Sequence, residues 1–135
     1  MNWLKIAALN LALGVGLGAF GAHGLVDLGA YELKIWHTAT LYLFIHALGL
    51  LVLGVLNAAG SYRVNLPAYL LQLGVLIFSG TLYAIVLGAP KWLGMITPVG
   101  GVLMILGWLS LAFGVSKKYH HSKKSKRSNP SILRG

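Results

Sequence analysis

The chain has 135 residues, 57% of them hydrophobic and 10% charged, which is too apolar for a water-soluble domain and points to a membrane protein. Cysteine is absent, which excludes disulfide frameworks, thiolate metal centres and thiol catalysis. A net charge of +9 can signal nucleic acid, but seven of the 11 basic residues lie within residues 116–135, directly behind an apolar run, and that position argues against a nucleic-acid partner.

Apolar runs of about 20 residues, each long enough to cross a bilayer as a helix, recur at about 3–22, 37–57, 66–87 and 96–115. They define an all-α integral membrane protein, a four-transmembrane-helix bundle occupying residues 1–115, followed by a basic tail at 116–135. In the first span Asn10, Gly14, Gly18 and Ala22 recur at spacing four. Small residues in such a row let a second helix approach closely, because lipid supplies no hydrophobic drive and association rests on contact. A basic start, an apolar run and Ala19, Gly21 and Ala22 also fit a cleaved signal peptide, which is the competing reading of this span.

The segment after it, HGLVDLGAYELKI, holds the only two carboxylates, Asp27 and Glu32. Drawn as a helix it is amphipathic, so a short interfacial helix is expected in this outer loop. The alternative is that Gly24 and Gly29 break it and Glu32 reaches water. His23, Asp27, Glu32 and His37 form a candidate outer polar cluster.

The second span carries His46 about halfway along, where only apolar side chains are cheap and an imidazole needs a partner. Thr38, Tyr42, His46, Gly49 and Leu53 at helical spacing predict an inward stripe, with Leu41, Phe44, Leu48, Leu51 and Val52 toward lipid. In the third span Gln72, Ser79 and Tyr83 share one stripe, and Pro67 suits the first turn. Together Tyr42, His46, Gln72, Ser79 and Tyr83 are the candidate intramembrane polar residues. Thr97 and Pro98 read as an N-cap followed by proline at the first helical position of the fourth span. Gly100, Gly107 and Gly114 then recur every seven residues, a second seam to complement the first, with Trp108 as a filler beside it. Gly14, Gly18, Gly100 and Gly107 are the expected helix-packing positions.

In the tail, Lys117, Lys118, Lys123, Lys124, Lys126 and Arg127 are expected to contact anionic lipid headgroups, each contributing roughly 1 kcal/mol near the surface. His120 and His121 form a doublet that reads as solvated rather than as a metal site. Lys5, Arg63 and the tail fall on one face, against Lys34 and Lys91 on the other, so the termini are expected in the cytoplasm.

Several ordered motifs resemble a known family. GAFGAHGL at 18–25, Thr38, Tyr42 and HALGLL through Leu51, FSGTLY at 78–83 and ITPVGGVLMILGW at 96–108 look like the family labelled domain of unknown function 423, which takes in the animal small transmembrane protein 256. The resemblance implies a four-helix, mostly bacterial membrane protein whose family has no established biochemical activity, and with the charge pattern it implies the bacterial inner membrane. The tail lies outside it. The family pattern often has glutamine where this chain has Leu43, and glutamate or glutamine where it has His37, so shared polar chemistry is not carried to those two positions.

No paired carboxylates, phosphate-binding glycine loop or activated nucleophile stands out, so no enzyme and no cofactor is expected. Three functions remain open. One is a structural or accessory role that organises lipid, a protein partner or a second copy of the chain. Another is transport of a small solute, ion or proton along a polar path near His46. The third is a metal or small-ligand site at His23, Asp27, Glu32 and His37, whose spacing matches no recognised signature.

Overall fold

The computed structural model describes residues 1–60 and 62–114. Four helices are long and apolar enough to cross a membrane: α1 (Trp3–His23), α2 (Ala30–Ala58), α3 (Asn65–Val86) and α4 (Thr97–Gly114). Inside a bilayer a backbone must satisfy its own hydrogen bonds, and helices do so within one segment. Local signals set their ends. The Asn2 side chain accepts from the Lys5 amide at the start of α1. Gly60, with φ +71°, and Gly88, with φ +103°, turn the chain out of α2 and α3 in a conformation that costs other residues steric energy.

Antiparallel connection leaves both α1 and α3 starting at one end of the bundle, here the terminal end, where α2 and α4 finish. The loops at 24–29 and 87–96 form the loop end. No separate helix occupies residues 23–35. Gly24 to Gly29 form turns, and Ala30 to Ile35 are the opening turns of α2, which makes that helix 29 residues long. Glycine at both boundaries resists helix continuation, while the apolar residues that suggested an interfacial helix simply lengthen the span. The outer-loop helix lies instead between α3 and α4, as a five-residue 3-10 turn, Lys91–Met95, that exposes Trp92 and Met95.

Extensive helix contacts join α1 to α2, α2 to α3 and α3 to α4, in chain order. The buried residues of α2, at Trp36, Ala39, Thr40, Leu43, His46, Ala47, Leu50, Leu53 and Gly54, repeat every seven residues. That is the heptad seam of a helix packed along its whole length. Two apolar clusters fill the ends of the bundle, one around Trp3, Leu50, Leu53, Val64 and Leu71, the other around Trp36, Leu43, Val75, Tyr83 and Met104.

Glycine sets the helix spacing at both outer pairs. Gly14 faces the Phe44 ring and Gly18 the Thr40 methyl of α2, and at Gly21 an added Cβ would fall on the Trp36 indole. Gly54 on α2 receives the first turn of α1, where a Cβ would lie 2.8 Å from the Leu4 amide nitrogen. Between α3 and α4 two glycines meet: a Cβ at Gly100 would sit 2.5 Å from the Phe78 amide nitrogen, and one at Gly74 would sit 2.8 Å from the Gly100 carbonyl. Gly107 lies against Leu71 and Leu70. The seam of α1 therefore packs on α2 and that of α4 on α3. The two seams do not complement each other, because each helix packs chiefly on its neighbour in the chain.

Replacing Gly100 by valine is expected to cost about 1 to 3 kcal/mol or to prevent folding, since a backbone stands in the way rather than a movable side chain. Gly80→Ala, where a Cβ meets nothing within 4 Å, should melt like the parent protein. Thermal melts in detergent check both, and equal melting of the two variants would remove the Gly74–Gly100 contact from the fold.

Candidate functional site

The polar side chains of the spans form rungs between helices. At the terminal end Trp3 Nε1 donates to Asn65 Oδ1 at 2.9 Å. One level further in, the Asn10 amide donates to Gln72 Oε1 at 2.5 Å, and Gln72 returns a longer bond of 3.4 Å. Ser79 Oγ donates to the Ala39 carbonyl at 2.8 Å. Toward the loop end, Trp36 Nε1 donates to the Leu17 carbonyl at 2.8 Å, and the Thr40 and Tyr83 hydroxyls bond at 2.7 Å. Thr81 and Thr97 join α3 to α4 through their hydroxyls at 2.6 Å. Thr97 thus spends its hydroxyl on a neighbouring helix rather than on a cap, although Pro98 does sit in the first turn of α4.

His46 is buried, and both its ring nitrogens are engaged. Nε2 lies 3.1 Å from Trp108 Nε1. An indole N–H can only donate, so Nε2 is the acceptor, and the ring proton of the neutral imidazole sits on Nδ1, 2.7 Å from the Tyr42 carbonyl. Trp108 is therefore the histidine's partner as well as a filler. One ring nitrogen thus donates along its own helix and the other accepts from α4.

The stripe expected on α2 is rotated at its N-terminal half. His46 and Leu53 face the core, whereas Tyr42 is 37% exposed at the edge, its ring against Phe78 at 4.5 Å and stacked with His46 at 6.0 Å. Thr38 returns its hydroxyl to the Lys34 carbonyl of its own helix. A row at spacing four drifts by about 40° per step around a helix of 3.6 residues per turn. Counting back from His46 in fours therefore leaves the buried face, where Leu43, Thr40 and Trp36 lie instead. The same drift takes Ala22 out of the α1 seam, where it is exposed while Gly21 is buried.

Gln72, Ser79 and Tyr83 all reach partners, Gln72 on α1 and the other two on α2. Among the described residues no buried side-chain nitrogen or oxygen lacks a partner. Between α1 and α3, a cleft of about 70 Å³ is walled mostly by Leu13, Leu17, Leu43, Val75 and Leu76. Asn10, Trp3, Thr40, Thr81 and Asn65 were missed as polar partners. Asn10 was counted only as a small packing residue, yet its carboxamide alone could have flagged a need for a cross-helix bond.

The outer polar cluster is not assembled. His23, Asp27 and His37 are exposed, and Glu32 folds back over Gly29 in the first turn of α2, where a carboxylate is favoured by the helix end. Among the described residues no three His, Cys, Asp or Glu side chains come close enough to hold a metal ion. Lys117, Lys118, Lys123, Lys124, Lys126 and Arg127 lie outside the described residues.

A bundle of four apolar spans tied by internal polar rungs defines an integral membrane protein. The model of the family described as protein of unknown function (DUF423) matches residues 17–101, and the chain belongs to that family. It is similar to a UPF0382 membrane protein of Staphylococcus saprophyticus, 47% identical over 116 residues, covering 85% of this chain and 97% of the relative. The UPF0382 membrane proteins of Staphylococcus epidermidis and Staphylococcus haemolyticus are 48% and 44% identical, each over 85% of this chain and 95% of the relative. No solved structure matches.

A double-mutant cycle on His46→Leu and Trp108→Phe, each of which removes the bond, read from melts in detergent, is expected to give a coupling of about 0.6 kcal/mol and at most about 1.7 kcal/mol, the range of hydrogen bonds between membrane helices. Additivity within about 0.3 kcal/mol would mean that the two side chains do not interact.

Proposed function

We propose that this chain is a structural or accessory protein of the bacterial inner membrane, without catalytic activity, that organises lipid or a membrane-protein partner. The observation that carries this reading is the internal pairing of the polar rungs, which leaves none of the buried polar side chains among the described residues to line a path. Transport of a proton through His46 would need that ring to exchange partners, and Trp108 and Tyr42 already occupy both nitrogens. Wide apolar faces on every helix suit contact with lipid and with other spans: Leu9, Val15, Leu48, Val52, Leu73, Ile105 and Phe113 are all exposed.

The orientation in this proposal is cytoplasmic termini. It follows from Lys5, Arg63 and the basic tail on one side against Lys34 and Lys91 on the other. Since the chain has no cysteine, single cysteines report sidedness cleanly. On intact cells a membrane-impermeant thiol reagent is expected to label Val26→Cys and to spare Ala59→Cys, both positions being exposed. The reverse pattern would invert the orientation.

Purified protein in sealed vesicles is expected to give no proton flux above empty vesicles under an imposed pH gradient. Flux in the parent that vanishes in a folded His46→Gln variant would replace the accessory reading with a transport one, because glutamine keeps a hydrogen bond but cannot titrate.

A further inference from the structure

At the terminal end a cleft of about 350 Å³ opens where three helices reach the membrane surface. Its polar walls are Asn57 from the last turn of α2, Arg63 from the connection, Asn65 from the first turn of α3 and Ser110 from α4. Leu66 and Pro67 supply its apolar side, and Leu66 is 65% exposed. The volume is at the small end of ordinary ligand pockets.

The donors in this cleft suit an anion. Arg63 offers a planar fork of N–H groups that matches phosphate oxygens. Asn65 accepts from Trp3 through its oxygen, so its amide nitrogen is the atom left to donate. Ser110 has given its proton to the Gly107 carbonyl and contributes only a polar wall. No side chain caps α3, whose first amides open at Asn65 and Leu66. Charge within the chain favours an outside ligand: its only two acidic side chains, Asp27 and Glu32, lie at the far end of α2, about 40 Å away at 1.5 Å per residue. No side-chain carboxylate of this chain can reach Arg63. The sequence that follows α4 carries no acidic side chain either.

We propose that this cleft binds the phosphate headgroup of an acidic phospholipid, with Arg63 and Asn65 holding the phosphate and Leu66 and Pro67 against the start of the acyl chains. This assignment rests on the lipid-organising reading above and gives it a site. A soluble phosphate would use the same donors but would gain nothing from the exposed leucine beside them, which favours a ligand with an apolar part.

Native mass spectrometry of the full chain, released from micelles containing equal phosphatidylglycerol and phosphatidylcholine, tests the site. The parent protein is expected to retain one phosphatidylglycerol in preference to phosphatidylcholine. Arg63→Gln should lower that retention at least about fivefold and Arg63→Lys by less, because lysine keeps the charge without the fork. Melting temperatures within a degree or so of the parent show that the variants are folded. A full-length chain with Lys117, Lys118, Lys123, Lys124, Lys126 and Arg127 all changed to glutamine should still retain the lipid. Retention lost in that chain and untouched by Arg63→Gln would overturn the cleft while leaving the lipid-organising reading in place. No preference for phosphatidylglycerol in the parent would overturn both. Displacement of the lipid by millimolar inorganic phosphate would overturn the lipid assignment in favour of a free anion.

Discussion

A polar side chain inside a bilayer has no water to fall back on, so its hydrogen bond must come from the protein. In this bundle that constraint decides where helices that do not pack backbone to backbone are nevertheless held together. The extensive contacts run α1 to α2, α2 to α3 and α3 to α4. The remaining links, α1 to α3 and α2 to α4, rest on long side chains: Trp3 to Asn65 and Asn10 to Gln72 for the first, Trp108 to His46 for the second. Each such bond is individually weak, because the separated helices would find other partners in the membrane. Their combined effect is to select one arrangement of the four helices among those that apolar packing alone would permit.

These three links share a register. Trp3 and Asn65, Asn10 and Gln72, and His46 and Trp108 are all separated by 62 positions. Helices α1 and α3 run in the same direction, as do α2 and α4, so a constant offset means that the second hairpin lies beside the first at the same depth. Polar groups then meet polar groups at matching levels, and the contacts of glycine with a neighbouring helix backbone fall inside each hairpin, whereas Gly49 of α2 makes room for the Trp108 side chain of α4. Gly21 and Gly54 close the first hairpin, and Gly74 and Gly100 close the second. Glycine gives close backbone contact within each hairpin, while the links from α1 to α3 and from α2 to α4 use the reach of long polar side chains.

The four spans were legible in the sequence because apolar length is a crude and robust signal, and the need of His46 for a partner was legible because an imidazole at mid-membrane depth admits few alternatives. The identity of that partner was not. Trp108 lies on another helix, and its N–H is invisible to a reading that treats tryptophan as bulk. Tyr42 and Ala22 were turned the wrong way by counting in fours, an error that grows with each step, whereas the steps of three and four at Trp36, Ala39, Leu43, His46 and Leu50 keep to one face. Gly74 carried no repeat that marked it, since its importance comes from meeting Gly100 on the next helix. The outer cluster failed for a related reason. Proximity in sequence of His23, Asp27, Glu32 and His37 says nothing about direction, and the turn at Gly24 to Gly29 sends them apart.

The distribution of charge gives the molecule two chemically different ends and an interior that belongs to neither. Both acidic side chains sit at the loop end, at Asp27 and Glu32, while Lys5 and Arg63 sit at the terminal end. Between them the polar rungs are consumed by one another. Among the described residues every buried side-chain nitrogen and oxygen has a hydrogen-bond partner inside the bundle. Its described surface carries exposed apolar helix faces and, at the terminal end, an arginine that no acidic side chain of its own chain can neutralise. The proposed lipid contact would leave the packing that holds the bundle together undisturbed, because Arg63 is exposed while Val64 and Ala68, just beyond it, are fully buried.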